Sequence, residues 1–133
     1  MIIDHIATVE NFFERWATGY QEFCDSFTDT LAADAPWLAA PGIPETHGPA
    51  EAIALLDQFR AGYNLASVRV DMVRIGQTGD VVWTERIDDI MDPDGNVIVT
   101  IPVAGVLTLN DAGQITSYRD YWDMQELQSK AVS

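Results

Sequence analysis

The hydrophobic pattern of the chain changes its period near Ser67, and this change limits the fold more than any other feature of the sequence. Before Ser67, apolar residues recur every three or four positions, as they do on one face of an α-helix. After it, apolar and polar residues alternate, which is typical of β-strands. Helices followed by a run of strands predict an α+β fold, in which a sheet packs against the helices.

Three helices are predicted in the first half of the chain. The first runs from Ile3 to about Tyr20, with Asp4 as its candidate N-cap, and the second spans Glu22–Ala33. The third begins near Pro49, a favourable residue for a first helical turn, and runs toward Tyr63. The segment 34–44 holds three prolines and a glycine, so we expect it to be irregular.

Four long strands are predicted in the second half, and short polar turns that contain glycine connect them. The predicted strands are Ser67–Gly76, Val81–Met91, Val97–Leu109 and Gln114–Met124. Such turns fit hairpins between antiparallel neighbours. We expect a strongly curved sheet, antiparallel or mixed, wrapped as a cone over the three helices, with a small-ligand pocket on its concave face. The 133 residues are expected to form a single domain, 1–133.

The net charge of −14 restricts the partners of the chain. It argues against nucleic acids, anionic membranes and polyanionic substrates, and it favours a small neutral or cationic molecule. No apolar run approaches the roughly 20 residues that a membrane span requires. A single cysteine, Cys24, excludes an internal disulfide, and we expect it to be an ordinary core or surface residue. These features predict a cytoplasmic protein.

Two predicted strands carry charged residues that need partners if they face a core. Arg86 and Asp88 are two positions apart and leave the same strand face, and Asp120 lies among aromatic residues on the last strand. Arg86 is then the natural counter-ion for both carboxyl groups. Two carboxyl groups that share one guanidinium can hold different protonation states, as a paired acid and base require. The alternative is an ion-pair network that only joins two strands.

These strand motifs resemble those of a known family. The chain resembles the cone-shaped, cystatin-like α+β barrel fold of nuclear transport factor 2 (NTF2), ketosteroid isomerase and the SnoaL-like polyketide cyclases. It is most similar to the limonene-1,2-epoxide hydrolase branch, which has Arg-x-Asp on one strand and Arg-Asp-Tyr-aromatic-Asp on the last. Here these motifs are Thr84–Asp88 and Arg119–Asp123, and Gly105–Leu107 and Gln114–Thr116 are also similar to that branch.

The resemblance implies a cofactor-independent epoxide hydrolase that needs no metal and forms no covalent intermediate. Asp120 would be the general base that takes a proton from water, and Asp88 the general acid that protonates the epoxide oxygen. Arg86 would bridge the two carboxyl groups. The resemblance also implies a homodimer that pairs through the sheet.

One position departs from the family pattern. Where the family holds its water with a tyrosine and an asparagine, this chain has Trp37 and Ala39. An indole can only donate a hydrogen bond, and the side chain of alanine forms none. Other residues that offer a substitute are Tyr118, Tyr20, Tyr63 and His47.

Aromatic residues are the candidate binding residues for an apolar or aromatic substrate. They are Trp37, Tyr118, Trp122, Tyr20, Tyr63 and Phe59. The residues expected to be solvated are Glu85, Asp89, Asp123, Arg119 and the pair Arg69–Asp71. His5 and His47 lack metal-ligand spacing, so no metal site is predicted. The alternatives to hydrolysis are another acid–base enzyme of the same fold (isomerase, cyclase, dehydratase or lyase) or a non-catalytic ligand-binding, homodimeric module.

Overall fold

The computed structural model describes residues 3–132 and consists of a curled six-stranded sheet packed against helices. The helices are α1 (Ile6–Glu14), α2 (Tyr20–Thr30), α3 (Gly48–Tyr63) and α4 (Met124–Gln128). The strands are β1 (Pro36–Leu38), β2 (Thr46–His47), β3 (Ser67–Thr78), β4 (Val81–Met91), β5 (Val97–Leu109) and β6 (Ile115–Tyr121). Their order is β2-β1-β6-β5-β4-β3, with β1 and β6 parallel and the other pairs antiparallel. The α+β prediction with a mixed sheet is confirmed, although the sheet curls without closing.

The first predicted helix is divided in the structure. Helix α1 ends at Glu14, a short 3-10 turn covers Arg15–Ala17, and α2 starts after Gly19, whose φ of 154° and ψ of 171° are not helical. The predicted cap is displaced by one residue because His5 occupies the N-cap position. The Asp4 carboxylate nevertheless accepts a 3.0 Å hydrogen bond from the backbone N–H of Ile6.

Strand β1 lies in the segment 34–44 that we expected to be irregular. It pairs with β6 so that Trp37 lies opposite Tyr118, and β2 pairs with its other edge. A three-residue strand that begins with proline is too short to show a period of two. It forms because β6 offers a free edge for backbone pairing. This pairing brings Trp37 to the concave side of the sheet.

The ends of the long strands agree closely with the predicted pattern. Strands β4 and β5 have the predicted limits, whereas β6 ends at Tyr121 because the chain enters α4. Asp123 is exposed, as expected, and its carboxylate caps α4 by accepting a 3.0 Å hydrogen bond from the N–H of Gln125. Helix α4 was not predicted, since its five residues give too short a pattern.

Arg69 and Asp71 are both exposed, as expected, and the ion-pair partner of Arg69 lies on the neighbouring strand. Arg69 donates to Asp89 on the neighbouring strand at 2.6 Å, and Thr100 also donates to Asp89 at 2.6 Å. Asp89 therefore does lie on the face opposite to Asp88, but it is half-buried and paired instead of freely solvated. The partner of Asp89 was not predicted, because the pattern along one strand does not show that Arg69 of the neighbouring strand lies opposite.

The core between the helices and the concave sheet face is rich in aromatic rings. Phe12 of α1 makes edge-to-face contacts with Phe13, Trp16, Phe27 and Tyr118, with ring centroids 5.2–5.9 Å apart. Cys24 is also buried in this core. This aromatic layer covers the part of the sheet that carries the charged residues. Across residues 3–132, no helix has both the length and the apolar character needed to cross a membrane.

Candidate active site

Three charged residues meet on the concave face of the sheet, where β4, β5 and β6 are adjacent. Arg86 and Asp88 come from β4 and Asp120 comes from β6, so strand β5 lies between them. Arg86 is 1% exposed, Asp88 5% and Asp120 4%. Because a charge removed from water needs compensation nearby, the three residues must be considered together.

The guanidinium of Arg86 binds both carboxyl groups through two hydrogen bonds each. Its Nη1 and Nη2 lie 2.9 Å from Oδ1 and Oδ2 of Asp120. Its Nε and Nη2 lie 3.2 and 2.9 Å from Oδ1 and Oδ2 of Asp88. The planar fork of arginine suits such paired contacts, which fix orientation as well as charge. The contact that the sequence analysis expected between Arg86 and the two acids is therefore present.

Strand β5 makes room for this contact with a glycine. Gly105 pairs with Thr84 on one side and with Asp120 on the other. An added Cβ at Gly105 would lie 2.6 Å from Oδ1 of Asp120, 2.7 Å from Nη1 of Arg86 and 2.7 Å from Oγ1 of Thr84. The Arg86 side chain reaches across β5 to Asp120 because this position has no side chain. A glycine inside a strand is the signal by which sequence reasoning could have found it.

The hydrogen bond from Tyr118 makes the environments of the two carboxyl groups unequal. The hydroxyl of Tyr118 donates to Oδ2 of Asp120 at 2.5 Å. Asp120 thus accepts three hydrogen bonds, and Asp88 accepts two, both from Arg86. The ring of Phe13 lies 4.2 Å from Cζ of Arg86 and contributes a cation–π contact. The negative charge of the pair is therefore better stabilised on Asp120 than on Asp88.

The pKa values of the cluster follow from burial and charge. Burial raises the pKa of the Asp88 carboxyl; the attraction of Arg86 opposes this rise, and the charge of Asp120 adds to it. Burial also raises the pKa of Tyr118 far above its ordinary value, so its hydroxyl keeps its proton and donates. For Arg86, burial disfavours the charge, but the surrounding negative groups hold its pKa well above the ordinary value. Burial and the neighbouring negative charge therefore shift Asp88 toward its protonated form.

An apolar cavity of about 60 Å³ opens beside the two acids. Asp88 and Asp120 supply its charged wall. The predicted binding residues in its lining are Trp37, Phe59 and Trp122. The remaining wall is aliphatic or aromatic, and it includes Trp16 and Leu127, which the sequence analysis did not assign to a site. Leu127 was not assigned because the short helix α4 that carries it was not predicted.

Three of the predicted tyrosines do not line this cavity. Tyr118 lies behind Asp120 and acts through its hydrogen bond. The hydroxyl of Tyr20 donates to Asp57 at 2.5 Å, on the helical side of the protein. Tyr63 packs against Phe59 with ring centroids 6.1 Å apart. Tyr20 and Tyr63 therefore lie outside the lining of this cavity, in contact with Asp57 and Phe59 respectively.

His47 lies outside the pocket as well. Its side chain is largely exposed on β2, where Nδ1 lies 4.0 Å from the Glu51 carboxylate. The pocket wall near Asp120 is instead held by Trp122, whose Nε1 donates to the carbonyl of Ala39 at 2.6 Å. No group of three His, Cys, Asp or Glu side chains within the described range 3–132 is placed to hold a metal ion.

The family model of the limonene-1,2-epoxide hydrolase catalytic domain matches residues 3–132 of the sequence. None of the curated proteins matches the chain in sequence. Among solved structures, the chain is similar to a limonene-1,2-epoxide hydrolase-like epoxide hydrolase of Mycobacterium tuberculosis. The identity is 27% and the TM-score 0.71, over 95% of this chain and 87% of that one.

Two further solved structures share the fold. One is a protein of Catenulispora acidiphila with a ketosteroid isomerase-like fold, at 17% identity and a TM-score of 0.75, over 95% of this chain and 92% of that one. The other is a protein of Jannaschia sp. assigned to the SnoaL-like polyketide cyclases, at 20% identity and a TM-score of 0.72, over 94% and 92% of the two chains. The expected NTF2-like fold is confirmed.

The glycine beneath the charged cluster gives a first testable prediction. Gly105→Ala should lower the free energy of unfolding by about 1–3 kcal/mol, because the added methyl group pushes Arg86 and Asp120 apart. Gly76→Ala on β3 is the matched control, since its Cβ would meet nothing within 4 Å. The control should change stability by less than about 0.5 kcal/mol. Urea denaturation measures both, and equal effects of the two substitutions would contradict the close packing at Gly105.

The raised pKa of Asp88 predicts how stability depends on pH. The folded state binds this proton more tightly than the unfolded chain does, so its contribution is complete below the unfolded pKa. The contribution is lost as the pH rises through the folded pKa. An asparagine has no such proton. Urea denaturation over a pH series should therefore show the stability of wild type falling relative to that of Asp88→Asn as the pH rises. A difference that stays constant with pH, or changes in the other direction, would contradict the prediction.

Proposed function

The chain belongs to the limonene-1,2-epoxide hydrolase family, and we propose that it adds water to an epoxide on a small, largely apolar molecule. The observation that carries this proposal is the buried Arg86, which binds Asp88 and Asp120 together beside an apolar cavity. Opening an epoxide with water requires one proton to reach the ring oxygen and another to leave the water. Two carboxyl groups in different protonation states suit these two tasks.

The proposed roles follow from the unequal surroundings of the acids. Asp88, whose pKa is raised by burial, delivers its proton to the epoxide oxygen as the ring C–O bond breaks. Asp120, whose charge is supported by Arg86 and Tyr118, takes the proton from water as the new C–O bond forms. Arg86 stays charged and holds both groups in place. No covalent intermediate with the protein is part of this reaction.

The cavity lining favours a neutral substrate of modest size. Apart from the two acids, the wall is formed by aliphatic and aromatic side chains, including Trp37, Phe59 and Trp122. A charged substrate would lose its hydration there. The charged groups that could compensate for this loss, Asp88 and Asp120, are already bound by Arg86. The proposed substrate class is therefore small apolar or aromatic epoxides.

A second candidate is another acid–base reaction on the same fold, such as isomerisation, cyclisation, dehydration or carbon–carbon cleavage. The observation that favours it is the pair Trp37 and Ala39, which stand where the family has its water-holding tyrosine and asparagine. The acids would then take a proton from one position of the substrate and give one to another position or to the group that leaves, without adding water. Incorporation of solvent oxygen into the product separates the two candidates.

The proposed roles predict that Asp88→Asn and Asp120→Asn each lower the rate of diol formation about 10²–10⁴-fold. Limonene-1,2-epoxide, styrene oxide and cyclohexene oxide are suitable test substrates, with the diol measured by gas chromatography. A single turnover in ¹⁸O-water should place the label in the diol, because water attacks the ring directly. Asp89→Asn is the matched control on the same strand, since Asp89 lies on the opposite face.

Three outcomes would count against these roles. Full activity in both variants with a lowered melting temperature would show that the cluster is a structural network. A product that contains no solvent oxygen would favour the second candidate. A protein that holds the epoxide without forming any product would be a binding module.

We further propose that the chain forms a homodimer through the convex face of its sheet. Trp83 is 51% exposed there, next to Val106 across the β4–β5 pair, and Tyr121 lies opposite Ala104 across the β5–β6 pair. Exposed apolar side chains grouped on one face are typical of an interface between protein chains.

The dimer is tested by placing a charge at the centre of this face. Trp83→Glu should convert the dimer into a monomer, as measured by sedimentation velocity, because a buried carboxylate without a partner opposes association. Val97→Glu is the control, since Val97 is also exposed but lies at the end of β5 beside the turn. A wild-type protein that sediments as a monomer at micromolar concentration would contradict the proposal.

A further inference from the structure

Arg86 by itself hardly distinguishes the two acids that it binds. It gives each of them two hydrogen bonds, at 2.9 and 2.9 Å to Asp120 and at 3.2 and 2.9 Å to Asp88. The two carboxyl groups are also buried to nearly the same extent, since Asp88 is 5% and Asp120 4% exposed. A guanidinium held between them stabilises a negative charge on either side. Another contact is needed to decide which acid keeps the proton.

The hydroxyl of Tyr118 is the contact that differs between the two acids. It donates to Oδ2 of Asp120 at 2.5 Å, whereas among residues 3–132 the hydrogen bonds to the Asp88 carboxyl group come only from Arg86. A hydrogen bond to an ionised carboxylate is stronger than one to a neutral carboxyl group. The hydroxyl therefore favours the state in which Asp120 is charged and Asp88 holds the proton.

The surroundings of Tyr118 fix the direction in which its hydroxyl donates. The ring, which is fully buried, contacts aromatic rings of α1, the 3-10 turn and β1, with centroids 5.9–6.4 Å apart: Phe12, Phe13, Trp16 and Trp37. The charged groups that act on the hydroxyl are Arg86, Asp120 and Asp88. Nη1 of Arg86 lies 3.5 Å from the hydroxyl oxygen and can only donate. Within residues 3–132, the acceptor for the Tyr118 O–H is therefore Asp120.

This hydrogen bond can persist while Asp120 takes up a proton. Oδ2 of Asp120 accepts from Tyr118 and from Nη2 of Arg86, so both of its lone pairs are used. Oδ1 accepts only from Nη1 and keeps a lone pair. A proton can therefore bind Oδ1 while Tyr118 continues to donate to Oδ2. The bond from Tyr118 then weakens, because its acceptor is no longer charged.

We propose that Tyr118 is a positioning residue that assigns the acid and base roles and restores them after each turnover. One turnover of the proposed hydrolysis, on which this inference rests, leaves Asp88 ionised and Asp120 protonated. The starting state returns when Asp120 gives up this proton and Asp88 takes one up, so the net charge of the site does not change. Tyr118 favours the return because it binds the charged form of Asp120 more strongly.

The first test measures where the proton resides and does not use turnover. In protein that carries ¹³C at the aspartate carboxyl carbons, the NMR signal of each acid reports its protonation over a pH series. The two signals are assigned with Asp88→Asn and Asp120→Asn. In the wild type, Asp120 should ionise first as the pH rises, while Asp88 stays protonated to higher pH. A wild-type protein in which Asp120 keeps its proton longer than Asp88 overturns the inference without any variant of Tyr118.

Tyr118→Phe removes the hydroxyl but keeps the ring in its aromatic surroundings. In this variant the two acids should titrate in the same pH range, because the proton is then shared between them. Tyr20→Phe is the matched control, since Tyr20 also donates to an aspartate, Asp57, at 2.5 Å but lies outside the cavity lining. The control should leave both titrations as in the wild type. Titrations that Tyr118→Phe leaves unchanged overturn the inference.

The second test is the pH profile of kcat/KM with cyclohexene oxide as the probe. The active pair carries one proton, so activity falls at low pH, where both acids are protonated, and at high pH, where neither is. Tyr118→Phe should move the acidic limb to higher pH by about 1–2 units, because one charge-assisted hydrogen bond to the ionised pair is lost. The alkaline limb should move less, since Asp120 is ionised on both sides of that step.

The two proposals fail in distinguishable ways. An acidic limb that stays in place in an active Tyr118→Phe variant overturns the role of Tyr118 and leaves epoxide hydrolysis in place. A loss of activity by the same factor at every pH shows a packing role and also overturns it. Titrations of Asp88 and Asp120 that depend on Tyr118, in a protein that hydrolyses none of the epoxides, support the role of Tyr118 and overturn the proposed hydrolysis.

Discussion

The buried guanidinium of Arg86 is the interaction on which the rest of this structure depends. A cation that is 1% exposed needs compensation from its neighbours, and two carboxyl groups and an aromatic ring provide it. This requirement constrains the order of the strands, since Asp120 on β6 and Arg86 on β4 have strand β5 between them. It also constrains β5, which needs a residue without a side chain, Gly105, where the two groups meet. Such ion pairs add little net stability compared with apolar residues. A function for the cluster therefore explains it better than stability does.

The long strands, and the acidic residues that they place on the concave face, could be predicted from the sequence. An alternating pattern places residues two apart on one face, so Arg86 and Asp88 could be placed together without any structure. Asp120 could be added because the last strand combines a charge with aromatic residues. The same rule placed Asp89 on the opposite face and predicted that it is solvated. The pattern along one strand does not show which residue of the adjacent strand lies opposite. The partner of Asp89 is Arg69 on the adjacent strand.

The wall of the pocket was less accessible to sequence reasoning. Strand β1 exists because the edge of β6 offers backbone partners, and a three-residue strand carries no period of its own. The placement of Trp37 against Tyr118 is therefore a result of tertiary structure. Tyr20 and Tyr63 were misplaced because helical spacing predicts a face but not the element that the face meets. The position of a residue can be predicted from the sequence when the local hydrophobic period determines it. When pairing between distant segments determines the position, the structure is required.

Charge conservation within the cluster explains how the proposed chemistry can occur in an apolar cavity. With Asp88 protonated and Asp120 ionised, Arg86 and the two acids together carry no net charge. In the proposed reaction one proton leaves Asp88 and another reaches Asp120, so the sum stays at zero while the negative charge moves from one side of Arg86 to the other. A low-dielectric site opposes a change in net charge far more than a movement of charge around a fixed cation. Nη2 of Arg86 donates to both carboxyl groups and so contacts the charge on either side. The arginine therefore serves the beginning and the end of the reaction equally, without rearrangement of the sheet that holds it.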